Sequence, residues 1–66
     1  MELIVNGERH AVAQRVTVQE FLDSVGLDAR KVAVERNREI VTRSAYGQTL
    51  LDEGDRIEIV HFIGGG

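Results

Sequence analysis

The chain carries one full helix signal, at Thr17–Gly26, and a single short helix cannot bury its own apolar face. Thr17 is followed three residues later by Glu20, the spacing of a capping box. The threonine hydroxyl can accept from the amide of Glu20, and the Glu20 carboxylate from the amide of Thr17. Val16, just before the cap, is placed to pack on Phe21 as a hydrophobic staple. Val18, Phe21, Leu22 and Val25 recur at helical spacing and predict one apolar stripe. Gly26 supplies the left-handed residue that ends the helix, and Leu27 can close a Schellman-type contact. The prediction is a helix with one buried face, which something else must cover.

The flanking sequence supplies strands for that purpose. Met1–Val5 is an apolar run, Asn6-Gly7 is a strong hairpin signal, and Glu8–Ala13 returns as a second strand. Val32–Glu35 reads as a third strand, Asn37-Arg38 as a turn and Glu39–Val41 as a short fourth strand. Ser44–Gly47 is too short for a full helix, although Ser44 could cap a single turn. Asp52–Asp55 is a turn by composition, with Asp52, Glu53 and Asp55 read as turn residues rather than acid–base or metal groups. Arg56–Ile63 is the longest strand candidate. This order predicts an α+β β-grasp domain over residues 1–63: a mixed four- to five-stranded sheet packed on one main helix, the last strand lying parallel to the first. Residues 64–66 are expected to form a flexible glycine tail.

With 66 residues and no cysteine, the domain has neither disulfide nor thiolate metal site to support a small core. His10 and His61 lie far apart in sequence, so a structural metal is not expected. Stability must come from packing, and 42% hydrophobic residues can supply it. Nothing approaches the roughly 18 apolar residues of a membrane span, and the start Met1-Glu2 has no signal-type block. The expectation is a soluble cytoplasmic protein. A net charge of −3 argues against nucleic acid. Arg30, Lys31, Arg36, Arg38 and Arg43 cluster mid-chain and read as a solvated charged face.

Gly64-Gly65-Gly66 follows the last apolar strand directly. Glycine has no side chain to pack and the highest backbone entropy, so such a tail adds nothing to a core. It can instead enter a narrow active site in another protein. The one reactive group it offers is its terminal carboxylate, which becomes electrophilic once an ATP-using partner turns it into an acyl-adenylate. No P-loop, nucleophile elbow or His-Cys pair marks the chain itself as an enzyme.

Several runs resemble the thiamine-biosynthesis sulfur carriers of the ThiS family: Met1-Glu-Leu-Ile-Val-Asn-Gly-Glu8, Thr17-Val-Gln-Glu-Phe-Leu22, Val32–Arg43, Glu53-Gly-Asp-Arg-Ile57 and the ending Ile63–Gly66. The resemblance spans essentially the whole chain, its most specific element being the terminal Gly65-Gly66 pair. It implies a non-catalytic carrier with no bound cofactor. Gly66 would be adenylated with ATP by a ThiF-type enzyme and would take sulfur from a persulfide donor as a thiocarboxylate. It would then deliver that sulfur to the thiazole synthase ThiG. Gly65 and Gly64 would thread the tail into partners. Carriers of the MoaD family, which serve molybdopterin synthesis, share the fold and ending. A ubiquitin-like modifier or interaction module, or a scaffold with an inert glycine end, are the alternatives from other classes.

Strand alternation gives a separate expectation. If Ile57 and Ile59 face the core, Glu58, Val60 and Phe62 face outward, as does Ile4 on the first strand. Neighbouring strands would then bring Ile4, Val60 and Phe62 into an apolar docking patch, with Glu58, leading to the tail. Tyr46 is expected in the core or at its rim, and His61 as a half-buried edge residue.

Overall fold

In the computed structural model, which describes residues 1–62, a five-stranded mixed sheet packs one face on a single α-helix. In chain order the strands are β1 (Glu2–Val5), β2 (Glu8–Ala11), β3 (Val32–Arg36), β4 (Glu39–Val41) and β5 (Arg56–His61). The spatial order is β2-β1-β5-β3-β4. β5 lies parallel to β1 and antiparallel to β3, the crossover expected of a β-grasp. Among the described residues no helix is long and apolar enough to cross a membrane. The glycine tail and its three residues, Gly64, Gly65 and Gly66, lie outside the described residues.

Helix α1 (Val18–Ser24) begins and ends as its local sequence dictates. The Glu20 amide donates to Thr17 Oγ1 at 3.0 Å, and the Thr17 amide donates to Glu20 Oε1 at 2.8 Å, closing the capping box. Past the C-cap Val25, Gly26 takes φ +78°. Its amide bonds Asp23 O, and the Leu27 amide bonds Leu22 O, the two bonds of a Schellman motif. Val18, Phe21 and Leu22 are buried, but Val25 is 38% exposed. The stripe fails there because the helix ends at Ser24 and Val25 has left the helical path, with φ −101° and ψ 7°.

The core joins those three residues to Leu3, Val32, Val34, Tyr46, Leu51 and Ile57, with Val16 and Leu27 packed at its margin. Tyr46 is buried with its hydroxyl donating to Val32 O at 3.1 Å, which satisfies the one polar atom it brings inside. Single 3₁₀ turns occupy Ala29–Lys31 and Arg43–Ala45. The second is capped from Thr42, without a side-chain bond, and not from Ser44, which lies within the turn. β2 also stops at Ala11, two residues short of the sequence expectation.

Both hairpin turns are two residues long and open on an asparagine with positive φ: Asn6 at 50° before Gly7 at 82°, and Asn37 at 51° before Arg38 at 70°. Positive φ at both central positions is the mark of a type I′ turn, which asparagine and glycine tolerate. Arg38 bears that conformation with a Cβ.

Asp55 opens the last strand from a buried position. It accepts from Arg36 Nε (2.8 Å), Asn37 Nδ2 (3.0 Å) and the Asp52 amide (2.8 Å), tying the β3–β4 turn to the start of β5. Burial alone would push its carboxyl up. The bonds from Asp52, Asn37 and Arg36, with the Arg36 charge, outweigh that and hold it below the usual carboxylate range.

Leu22→Ala is expected to cost about 2–5 kcal/mol of unfolding free energy, measured by urea titration, because it opens a cavity under the sheet. The lowered Asp55 pKa stabilises the fold above its unfolded value, near 3.9, and this contribution is lost as pH falls through the folded pKa. Stability should therefore decline below about pH 4. Asp55→Asn should remove part of that acid dependence while costing about 1–3 kcal/mol at pH 7, both readable from urea midpoints across pH.

Candidate functional site

The groups with a possible functional part lie around the end of β5, where the chain leads toward Gly66. Two devices hold that strand in place. On the β3 side, the Phe62 amide donates to Lys31 O at 2.9 Å, continuing the ladder past His61. On the β1 side, β1 ends at Val5 opposite Ile57, and the Asn6 carboxamide carries on the pairing. Asn6 Oδ1 accepts from the Ile59 amide at 2.8 Å, and Asn6 Nδ2 donates to Ile59 O at 3.3 Å. A side chain thus pairs with the next backbone position of β5. The sequence marks Asn6 as a turn residue but gives no sign of this second role, which depends on β5 lying alongside.

On the face of the sheet away from the helix, Val60 is 61% and Phe62 52% exposed, as alternation predicts, and Glu58 is exposed between Arg56 and Val60. Ile4 does not join them. It is only half-exposed, and the register sets it beside Arg56, four residues before Val60 along β5. Its place is taken by residues from the other neighbour. Ala33 pairs with Val60, and Ile40 of β4, 78% exposed, pairs with Glu35. Ala33, Ile40 and Val60 line one shallow groove with Glu35, Glu58 and Arg38 at its border. Sequence alternation along β4 could have nominated Ile40, but only with the strand order in hand.

On the helix side a smaller cleft of about 190 Å³ opens between β5 and the C-terminal end of α1. Val5, Phe21, Val25, Leu27 and Ile59 form its apolar wall, with Asn6, His10 and His61 at its edges. His10 meets Phe21 edge-on, with ring centroids 5.1 Å apart. His61 is exposed rather than half-buried, because β1 and the helix both end before they reach it.

The mid-chain basic residues do not form one face. Arg36 turns inward to Asp55 and Asp52, and Arg38 sits in the β3–β4 turn. Arg30, Lys31 and Arg43 gather by the end of β5, with Arg43 Nη2 donating to Arg30 O at 3.3 Å. Asp28 accepts from the Arg30 side chain and amide, which holds its carboxyl at about 2. Asp52, Glu53 and Asp55 spend their oxygens on the turn and its neighbours: Asp52 on Arg15 and Arg36, Glu53 on the Glu2 amide.

Comparison with known proteins agrees on one family. The ThiS family profile matches residues 2–66. A thiazole synthase of Paramagnetospirillum magneticum is 52% identical over 66 residues, which is 100% of this chain but 20% of that protein. The sulfur carrier protein ThiS of Bacillus subtilis is 48% identical over 50 residues, 76% of each chain. The crystal structure of the thiamine biosynthesis protein (ThiS) of Geobacter metallireducens superposes with a TM-score of 0.85 at 38% identity, covering 100% of both chains.

The exposed placement of Val60 makes a stability prediction. Val60→Asp should change the unfolding free energy by no more than about 0.5 kcal/mol in urea titration, the range of surface substitutions, despite lying on a central strand.

Proposed function

The chain belongs to the ThiS family, and from that we propose that it is a sulfur carrier for the thiazole ring of thiamine, acting through the carboxylate of Gly66. The full-length likeness to a thiamine biosynthesis protein (ThiS), covering 100% of both chains, is the observation that carries this reading. The carboxylate attacks ATP on an activating enzyme of the ThiF type and releases pyrophosphate, leaving an acyl-adenylate. A persulfide sulfur of the donor then displaces AMP to give an acyl disulfide. A second thiol cleaves its S–S bond, which leaves a disulfide on the donor side and frees the tail as a thiocarboxylate. This chain contributes the end group and the surfaces that present it, while the catalytic groups belong to the enzymes it visits. Gly64 and Gly65 suit threading because they place no Cβ between the backbone and a partner's walls.

The likeness to thiazole synthases supports a ThiG-type acceptor, since those proteins contain a matching stretch within a longer chain. The outer face of Val60 and Phe62, extended by Ala33 and Ile40 instead of Ile4, is the proposed docking face.

Incubation with ATP, a ThiF-type enzyme and a sulfur donor should raise the intact mass by the difference between sulfur and oxygen, located at Gly66. The gain should vanish when Gly65 and Gly66 are deleted. An unchanged mass, with the same enzyme active on a control carrier, would overturn the proposal. Val60→Asp should weaken binding to the activating enzyme about tenfold or more, equivalent to about 1.4 kcal/mol, as read by calorimetry.

A further inference from the structure

Backbone groups on a strand point alternately to its two neighbours, so each residue of β5 has an assigned side. Even-numbered residues face β3: Arg56 O accepts from the Asn37 amide, and the Phe62 amide donates to Lys31 O. Odd-numbered residues face β1: Asp55 O accepts from the Ile4 amide, Ile57 O from the Asn6 amide, and Ile59 uses both its groups on the Asn6 carboxamide. His61 is the next odd residue, and β1 has already turned away at Asn6-Gly7. Among the described residues nothing pairs with its N–H and C=O on that side. β5 is therefore a central strand up to Ile59 and an open edge at His61.

We infer that this edge receives an extended segment of the enzyme that activates the tail, which adds as a short strand at His61 and seats one apolar side chain in the cleft formed by Val25, Leu27 and Ile59. The inference rests on the carrier reading above. The chemistry of the occupant follows from three observations. An open N–H and C=O on one residue call for a donor and an acceptor at strand spacing, which a peptide backbone supplies. The preceding position already holds an amide there, the Asn6 carboxamide, at 2.8 and 3.3 Å. A residue paired with His61 would project its side chain to the same face of the sheet as His61, which is the face of the 190 Å³ cleft. An apolar cavity of about 150 Å³ holds benzene, so this cleft has room for one aliphatic or aromatic side chain. Val25, exposed at the rim, would be covered by it. The contact lies on the helix side of the sheet and is separate from the Val60 face. Together the two would grip the strand that leads to the tail from both faces.

Amide hydrogen exchange on the full chain, resolved by NMR, tests this directly. In the free protein the His61 amide should exchange at least about 100-fold faster than the Val60 amide, whose bond to β3 opens only with the sheet. In the complex with a ThiF-type enzyme it should slow by about tenfold or more. A synthetic chain with an ester oxygen in place of the His61 N–H should keep its melting temperature and bind about three- to tenfold more weakly, the worth of one hydrogen bond. Val25→Asp should weaken binding while leaving the capping box and core intact. A His61 amide already protected in the free chain overturns the inference, as does protection that rises with the chain's own concentration, which would assign the edge to a second copy. Tight binding with sulfur loaded but the His61 amide still exposed overturns this contact and leaves the carrier function standing. Absence of any complex overturns both.

Discussion

Strand β5 lies between β1 and β3, and as far as Val60 its backbone groups draw partners from one side or the other. Neither neighbour is long enough to serve it alone. β1 covers it only as far as Ile57, and the β3 ladder begins at Arg36. The gaps are closed by two asparagines, each at the first position of a two-residue turn. Asn6 serves Ile59 from one side, and Asn37 serves Arg56 from the other through its own backbone N–H and its carboxamide oxygen, which accepts from the Arg56 amide. Both asparagines also take the φ > 0 conformation that their turns require. The same residues therefore reverse the hairpins and extend the central strand.

Charge is distributed with the same economy. Buried Asp55 draws in Arg36 and Asn37 and so fixes the entry to β5. A buried carboxylate is tolerable because three donors meet it, one of them cationic. Three other cations, Arg30, Lys31 and Arg43, stay at the opposite end of the strand, where the chain continues toward its glycines.

What could be read in the sequence was local. The capping box at Thr17, the Schellman glycine at Gly26 and both two-residue turns depend on neighbours within a few positions, and all appear as expected. The β-grasp order followed from them because a lone amphipathic helix leaves few ways to close the sheet. The errors came where distant partners decide. Val25 left the apolar stripe because the helix stopped one residue earlier. Ile4 was placed on the right face of the right neighbouring strand, yet the register put it at the wrong end of β5 for Val60. Ile40 was overlooked because its exposure matters only once β4 is known to lie beyond β3. Of the proposed docking residues, Glu58, Val60 and Phe62 are exposed, as alternation alone predicts, while the carboxamide bonds of Asn6 required the three-dimensional neighbour.

The central position of β5 has a bearing on synthesis. The strand is encoded last among the described elements, yet it separates the β1–β2 hairpin from the β3–β4 hairpin, so neither can join the other's sheet until residues 56–61 have emerged. Pairings this distant make loop closure late and folding cooperative. A nascent or truncated product that stops before Arg56 lacks the middle of its sheet rather than a dispensable edge, and remains open to proteolysis. Folding thereby waits on the segment that adjoins the C-terminal glycines, because the middle of the sheet is made last.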